Sequence, residues 1–297
     1  MRAVNALIET LVARWVPHDR PPDTPDRAAS GGSKSVVHAA TPAARSEAIQ
    51  LTFAPASTAA PSALDLVDML AERRFGVEYQ PIVDAQGLNT HGWEALARFR
   101  DGQGKSVPPD RVFASLHDSP LALLYAEREL KRLQIAHAPP RGRLFLNLDP
   151  DSWAAGGATA FLPLFTQARD DGMVVEVIEN MSRRDIALSA RMACELEQAG
   201  IAVALDDVGA EGALFSYSAL DGASYLKLDR FWLAGSPVDQ ARKAPMARGL
   251  IATAEHFGVV AVVEGVETHA DLEAARALGA RYVQGRLFET DFVRFWA

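Results

Sequence analysis

The chain has 297 residues, 48% of them hydrophobic and 23% charged, with one cysteine and a formal net charge of −8. These figures fit one large or two small globular domains. They leave no apolar run near the ~20 residues of a membrane-spanning helix, no internal disulfide framework around Cys194, and no basic stripe of the kind that binds nucleic acid.

Residues 1–16 open the chain with Val4, Leu7, Ile8, Leu11 and Trp15 near one helical face. That stripe reads either as a docking helix, for a protein partner or a membrane surface, or as a helix that merely packs or frays. Glu9 and Arg14 interrupt any signal-peptide pattern, so the expected compartment is reducing and cytoplasmic. Residues 17–62 are rich in Pro, Ala, Ser and Thr and read as a flexible linker. The expected division is therefore 1–62, helix candidate and linker, and 63–297, the folded domain.

A helix candidate over Ala63–Arg74 leads into eight short apolar runs. These are Val77–Val83, His91–Phe99, Arg143–Asp149, Val174–Glu179, Ile201–Gly209, Tyr225–Asp229, Val259–Gly265 and Tyr282–Phe288. Only Asp84–Thr90 separates the first two, which predicts an antiparallel hairpin. Helical segments at Pro109–Ala138, Arg183–Ala199, Arg230–Phe257 and Thr268–Leu278 imply parallel crossovers between later runs. The pattern predicts an α/β fold, a modified (β/α)8 barrel whose first strand is antiparallel. The mixed-sign cluster Glu127, Arg128, Glu129, Lys131 and Arg132 reads as a solvated helix face.

Reactive groups in such barrels sit at the C-terminal ends of the strands. Here Glu94, Asn147, Glu176, Glu179, Asp206, Asp207, Lys227, Asp229, Glu264, Glu267 and Gln284 fall in the runs, at their ends or just beyond. One acid at a strand end is as readily a helix cap or a solvated loop residue. Oxygen donors on five strands are another matter, because inward-facing carboxylates repel one another unless a cation joins them. Oxygen-only ligation favours Mg²⁺ or Mn²⁺ over zinc, and no HxH or HExxH spacing argues for zinc. The tandem Asp206–Asp207 can reach two ions, the apparatus for attack of water at phosphorus. Lys227 could orient or deprotonate that water. A Mg²⁺-dependent barrel lyase would share the carboxylates and the lysine, but the paired aspartates favour two metals.

Glu94-Ala95-Leu96 with Arg98 resembles the signature of EAL-domain phosphodiesterases. So do Gln80-Pro81-Ile82, Asn147, Glu176 with Glu179, Asp206-Asp207, Lys227 with Asp229, Glu264 to Thr268 and Tyr282 to Gly285, in that order. The resemblance spans about residues 76–288. It implies hydrolysis of cyclic di-GMP to the linear dinucleotide pGpG with two Mg²⁺ or Mn²⁺ ions. By similarity Glu94, Asn147, Glu176 and Asp206 would hold one ion, and Asp206, Asp207 and Glu264 the other. Lys227 would serve the attacking water, with Glu94 and Glu267 also in the catalytic set. Gln80, Arg98, Asp229 and Gln284 would face the substrate, and Glu179 would brace the loop after the fifth strand. The resemblance also brings a homodimer into the expected partners. The chain departs from the family pattern at Ala210 and Glu211, where a threonine and a glycine are usual. That loop is expected to be loose, with Asp207 poorly placed, which makes the enzyme slow or leaves a cyclic di-GMP receptor without activity.

Overall fold

The computed structural model describes residues 61–166, 172–178, 183–210 and 217–297. The candidate helix at 1–16, nearly all of the linker, Glu179 and Glu211 lie outside the described residues. The first helix, α1 (Ala63–Ala71), starts where Ser62 and Asp65 cap each other reciprocally, which satisfies two otherwise orphaned N–H groups. It ends three residues short of the expected Arg74, because Arg73 adopts φ +53° and turns the chain. Leu66, Val67, Met69 and Leu70 of α1 are buried in the core.

Strands β1 (Phe75–Asp84) and β2 (Thr90–Arg100) form the expected hairpin, with the short β3 (Ser106–Val107) added beside β2. The order then runs α2 (Pro109–Leu116), α3 (Pro120–Ala136), β4 (Arg143–Asn147), α4 (Pro150–Phe165), β5 (Met173–Ile178) and α5 (Arg183–Gln198). It continues with β6 (Ala202–Val208), β7 (Tyr225–Leu228), α6 (Pro237–His256), β8 (Val260–Val263), α7 (His269–Leu278), β9 (Tyr282–Val283) and β10 (Val293–Trp296). From β2 through β4 to β9 every neighbouring pair is parallel, and β1 is antiparallel to both β2 and β9. The sheet therefore closes into the eight-stranded barrel expected from the sequence, with β3 and β10 as extensions.

Two elements differ from the sequence expectation in their breaks. The segment 109–138 is two helices, because Pro120 starts a new one after Ser119. The segment 230–257 opens with a short 3-10 turn, Arg230–Trp232, and becomes α-helical only at Pro237, where Ser236 and Asp239 form a second capping box. Beside the short β3, helix α4 and strand β10 were not expected. Gly156, Gly157 and Pro163 argue locally against α4, yet it forms around a kink at Gly157 and buries Trp153, Phe161, Leu164 and Phe165. β10 forms by pairing with β1, Glu78 opposite Arg294. The cluster at 127–132 is also corrected: Glu127 and Lys131 are buried, with Lys131 Nζ 2.6 Å from Glu127 Oε2. Helix α3 thus presents part of its charge inward.

The barrel interior is layered by the two-residue period of its strands. Ile82, Phe145, Val174, Ala204, Tyr225 and Val262 fill the lower layer. Gly92 faces Phe145 there, and a Cβ on it would lie 2.9 Å from that ring. Two residues nearer the mouth come Gln80, Glu94, Asn147, Glu176, Asp206, Lys227, Glu264 and Gln284. An apolar plug below and a polar layer above thus follow from alternation alone.

Candidate active site

Four carboxylates of the upper layer face one ammonium. Lys227 Nζ lies 2.7 Å from Glu176 Oε1, 2.8 Å from Glu264 Oε1, 3.0 Å from Asp206 Oδ1 and 3.5 Å from Glu94 Oε1. Lys227 itself is 1% exposed. Glu94 is held at both oxygens by amides, Asn147 Nδ2 donating to Oε1 at 2.8 Å and Gln284 Nε2 to Oε2 at 2.6 Å. Gln284, expected to face substrate, thus braces a carboxylate from within the cavity wall. Both Glu176 oxygens and Asp206 Oδ1 are buried without a well-aligned hydrogen bond, Lys227 Nζ being the cation that faces them.

Carboxylate oxygens of Glu94, Glu176 and Asp206 lie within 4.8 Å of one another, as do those of Asp206, Asp207 and Glu264. These two groups match the two ligand sets drawn from the sequence, apart from Asn147, and Asp206 belongs to both. In a regular strand Asp207 would point away from Asp206. It is brought to the same side by a left-handed backbone, φ +55°, at a register shift between Leu205 and Val208. Such a conformation in a residue other than glycine costs about 1–3 kcal/mol. The turn beyond is fixed by Ala210 N–H donating to Asp207 O at 3.0 Å and Trp232 Nε1 donating to Val208 O at 2.8 Å. Gly209 (φ +94°) admits that indole, since a Cβ would lie 2.2 Å from Trp232 Nε1. Asp207 is therefore brought beside Asp206 and Glu264, while the loop beyond Ala210 lies outside the described residues.

Burial first, and the neighbouring acids second, push the Glu264 carboxyl up to about 8 and that of Asp207 up to about 6. Burial and the charge of Glu94 raise Glu176 well above the usual carboxylate range. For Lys227 burial opposes the ammonium, but Asp206, Glu176, Glu264 and Glu94 together hold its pKa well above the ordinary value. Burial also opposes ionisation of Glu94, yet Lys227 and the hydrogen bonds to Gln284 and Asn147 outweigh it. An acid whose pKa is raised by folding favours the folded state most when protonated. In chelator, the contribution of these raised acids to stability is therefore expected to be greatest below the unfolded carboxylate range. It should fall as pH rises toward the values near 6 and 8 of Asp207 and Glu264. Urea melts at pH 5 and pH 8.5 in EDTA check this; equal stability at both would overturn the electrostatic account.

A cavity of about 1020 Å³ opens over this layer. Gln80, Glu94, Arg98, Asn147, Asp206, Asp207, Lys227, Glu264, Glu267 and Gln284 all line it. Glu176 lies beneath it, fully buried against Lys227. Glu267 stands at the rim, 3.2 Å from Arg286. Asp229 is not brought to the wall; its Oδ1 accepts from Phe231 N at 2.8 Å and caps a short turn. The wall also holds residues the sequence reading did not assign to the site, among them His117, Lys131, Asp149 and Asp151. His117 Nε2 sits 2.9 Å from Asp149 Oδ2. Glu78 was also missed; no local signal marks it, because its two arginine partners come from other strands.

The residues fit a divalent cation. The donors are oxygens, the acids outnumber the one ammonium among them, and three buried oxygens lack a well-aligned hydrogen bond. Hard ions such as Mg²⁺, Mn²⁺ or Ca²⁺ take such sites.

The family model described as EAL domain matches residues 63–291. The cyclic di-GMP phosphodiesterase RocR of Pseudomonas aeruginosa is 28% identical over 242 residues, covering 77% of this chain and 60% of that protein. The probable cyclic di-GMP phosphodiesterase PdeN of Escherichia coli is 25% identical over 246 residues, 78% of this chain and 47% of that protein. The chain thus spans less than two thirds of the length of either relative. Among solved structures, the PaMucR phosphodiesterase in complex with c-di-GMP superposes with a TM-score of 0.61 at 25% identity, covering 76% of this chain and 94% of that one. The YkuI protein of Bacillus subtilis, in complex with c-di-GMP and calcium, shares the fold with a TM-score of 0.64 at 20% identity, over 79% of this chain and 59% of that one.

Proposed function

The chain belongs to the EAL-domain family, and from that premise we propose that it is a metal-dependent phosphodiesterase opening cyclic di-GMP to linear pGpG. The observation that carries this reading is the pair of acid groups sharing Asp206 at the floor of the cavity. Glu94, Glu176 and Asp206 would hold one divalent ion, and Asp206, Asp207 and Glu264 a second. When bound, the ions would supply Lewis acidity for a phosphoryl oxygen and an activated water.

The chain's own residues do the rest. Asn147 and Gln284 keep Glu94 in one orientation. Lys227, an ammonium donor between the acids, orients the attacking water and steadies a phosphate oxygen. Arg98 and Gln80 line the cavity from the hairpin and bind the dinucleotide's phosphate. The apolar layer beneath closes the barrel below the site, and the cavity opens above it. Attack on phosphorus breaks one ring P–O bond and leaves a terminal phosphate and a free hydroxyl.

The test is incubation of the purified protein with cyclic di-GMP in Mg²⁺, Mn²⁺ or EDTA, followed by chromatography of the nucleotides. Conversion to pGpG that stops in EDTA supports the reading, and undiminished conversion after exhaustive chelation would sink it. Ala210 and Glu211, in place of the usual threonine and glycine, favour a second reading as a receptor. Tight binding without conversion in either metal would establish that one.

A further inference from the structure

Beside the acidic floor, the hairpin carries one more buried carboxylate. Glu78 lies on the same face of β1 as Gln80, two residues nearer the mouth, and is 5% exposed. Its Oε1 accepts from Arg98 Nη2 at 2.6 Å and from Gln80 Nε2 at 3.0 Å. Its Oε2 accepts from Arg294 Nε, which β10 brings directly opposite. Arg98 Nη1 donates to Ala97 O at 2.9 Å. An arginine alone with a carboxylate tends to pair through two parallel bonds. Here Arg294 occupies the second oxygen, so Arg98 commits one nitrogen to Glu78 and keeps other N–H groups for the cavity it lines.

We propose that Glu78 is a positioning residue that aims Arg98 and Gln80 at the phosphate of the cyclic dinucleotide, with Arg294 setting the geometry of the pair. The proposal rests on the reading of the cavity as a cyclic di-GMP site. Arg294 also lies 3.9 Å from Glu289, so two guanidinium groups and two carboxylates balance here, and of the four it is Arg98 that lines the cavity, which puts a guanidinium at the edge of a wall rich in carboxylates. That edge is where an anionic ligand meets attraction rather than repulsion. Glu78 is a strand residue with no motif of its own, and its effect passes entirely through the two residues it orients.

The experiment compares Glu78→Ala, Glu78→Gln and Arg294→Ala with the parent in saturating Mn²⁺. In Glu78→Ala the KM for cyclic di-GMP is expected to rise about 10-fold or more, the scale of a lost charge-assisted hydrogen bond. Its kcat should stay within about twofold, because the acidic floor is untouched. Glu78→Gln, which keeps an acceptor for Arg98, should recover part of the KM and carries the test if the alanine variant does not fold. Arg294→Ala should raise KM by less than Glu78→Ala. A merely structural role would lower kcat and thermal stability with KM unchanged, and that result overturns the proposal. Crystal structures of the parent and of the glutamine and alanine variants give a readout independent of the nucleotide. Arg98 displaced from its parent position supports the positioning role even if the parent proves inert toward cyclic di-GMP, in which case the functional reading alone fails. Arg98 unmoved in both variants overturns it.

Discussion

Changing Asp206 to alanine is expected to lower cyclic di-GMP hydrolysis by roughly 10³-fold or more while leaving the barrel folded. Asp206 is the residue common to both acid groups, so its loss removes a ligand from each presumed ion at once. Metal stabilisation of a phosphoryl transition state is worth several kcal/mol, and about 1.4 kcal/mol is a tenfold rate. Folding should survive, because deleting one of several crowded carboxylates relieves repulsion around Lys227. Asp207→Ala should cost less, since it touches the second group alone. The measurement is kcat for each variant across a Mn²⁺ titration, beside a thermal melt in EDTA. An Asp206→Ala protein that is folded and keeps more than about a tenth of the parent rate would remove the two-ion reading.

The second large effect concerns Lys227. In Lys227→Met the side-chain volume is kept and the charge is lost, leaving Glu94, Glu176, Asp206 and Glu264 without the ammonium they surround. Removing one partner from a buried ionic group costs about 3–5 kcal/mol. The expected result is a marked loss of stability in EDTA at pH 8, smaller at pH 5, where the acids can take up protons instead. Saturating Mn²⁺ or Mg²⁺ should restore most of it, since a divalent ion supplies the missing charge and binds the folded state alone. Hydrolysis should remain low in all conditions, because the donor to water and phosphate is gone. Denaturant melts with and without metal at both pH values check this. Parent-like stability in EDTA at pH 8 would show that the acids do not depend on Lys227 as counter-ion.

Much of the fold was legible because alternation and crossover patterns are local signals that survive in the barrel. The acids could be placed at strand ends because the two-residue period carries Glu176, Asp206 and Glu264 inward with their apolar neighbours Val174, Ala204 and Val262 below. What escaped depends on contacts between distant segments. Helix α4 overrides its own glycines and proline because Trp153 and Phe161 find a core to enter. β10 exists only through β1, so its four residues look like a tail by themselves. Glu127 and Lys131 form an i,i+4 pair whose pattern is the same on a wet face and on a buried one. The position of Asp207 rests on a left-handed residue that no alternation rule allows for. Glu78 becomes meaningful only when Arg98 and Arg294 arrive on either side of it.

The closing seam of the barrel bears on the order in which the molecule becomes competent. Val83 pairs with Val283 and Glu78 with Arg294, so β1 waits for nearly the whole length of the domain before its free edge is covered. Such distant pairing must be reached against the entropy of closing a very long loop, and it slows folding. Until then β1 offers unpaired N–H and C=O groups on one side, the kind of edge through which partly folded chains aggregate. The acids from β2 to β8 can gather earlier by parallel pairing, but Gln284, which fixes Glu94, and Arg294, which meets Glu78, come only with the last strands. Closing the seam is thus the step that locks Glu94 and the Arg98 edge, whatever the acids have already gathered.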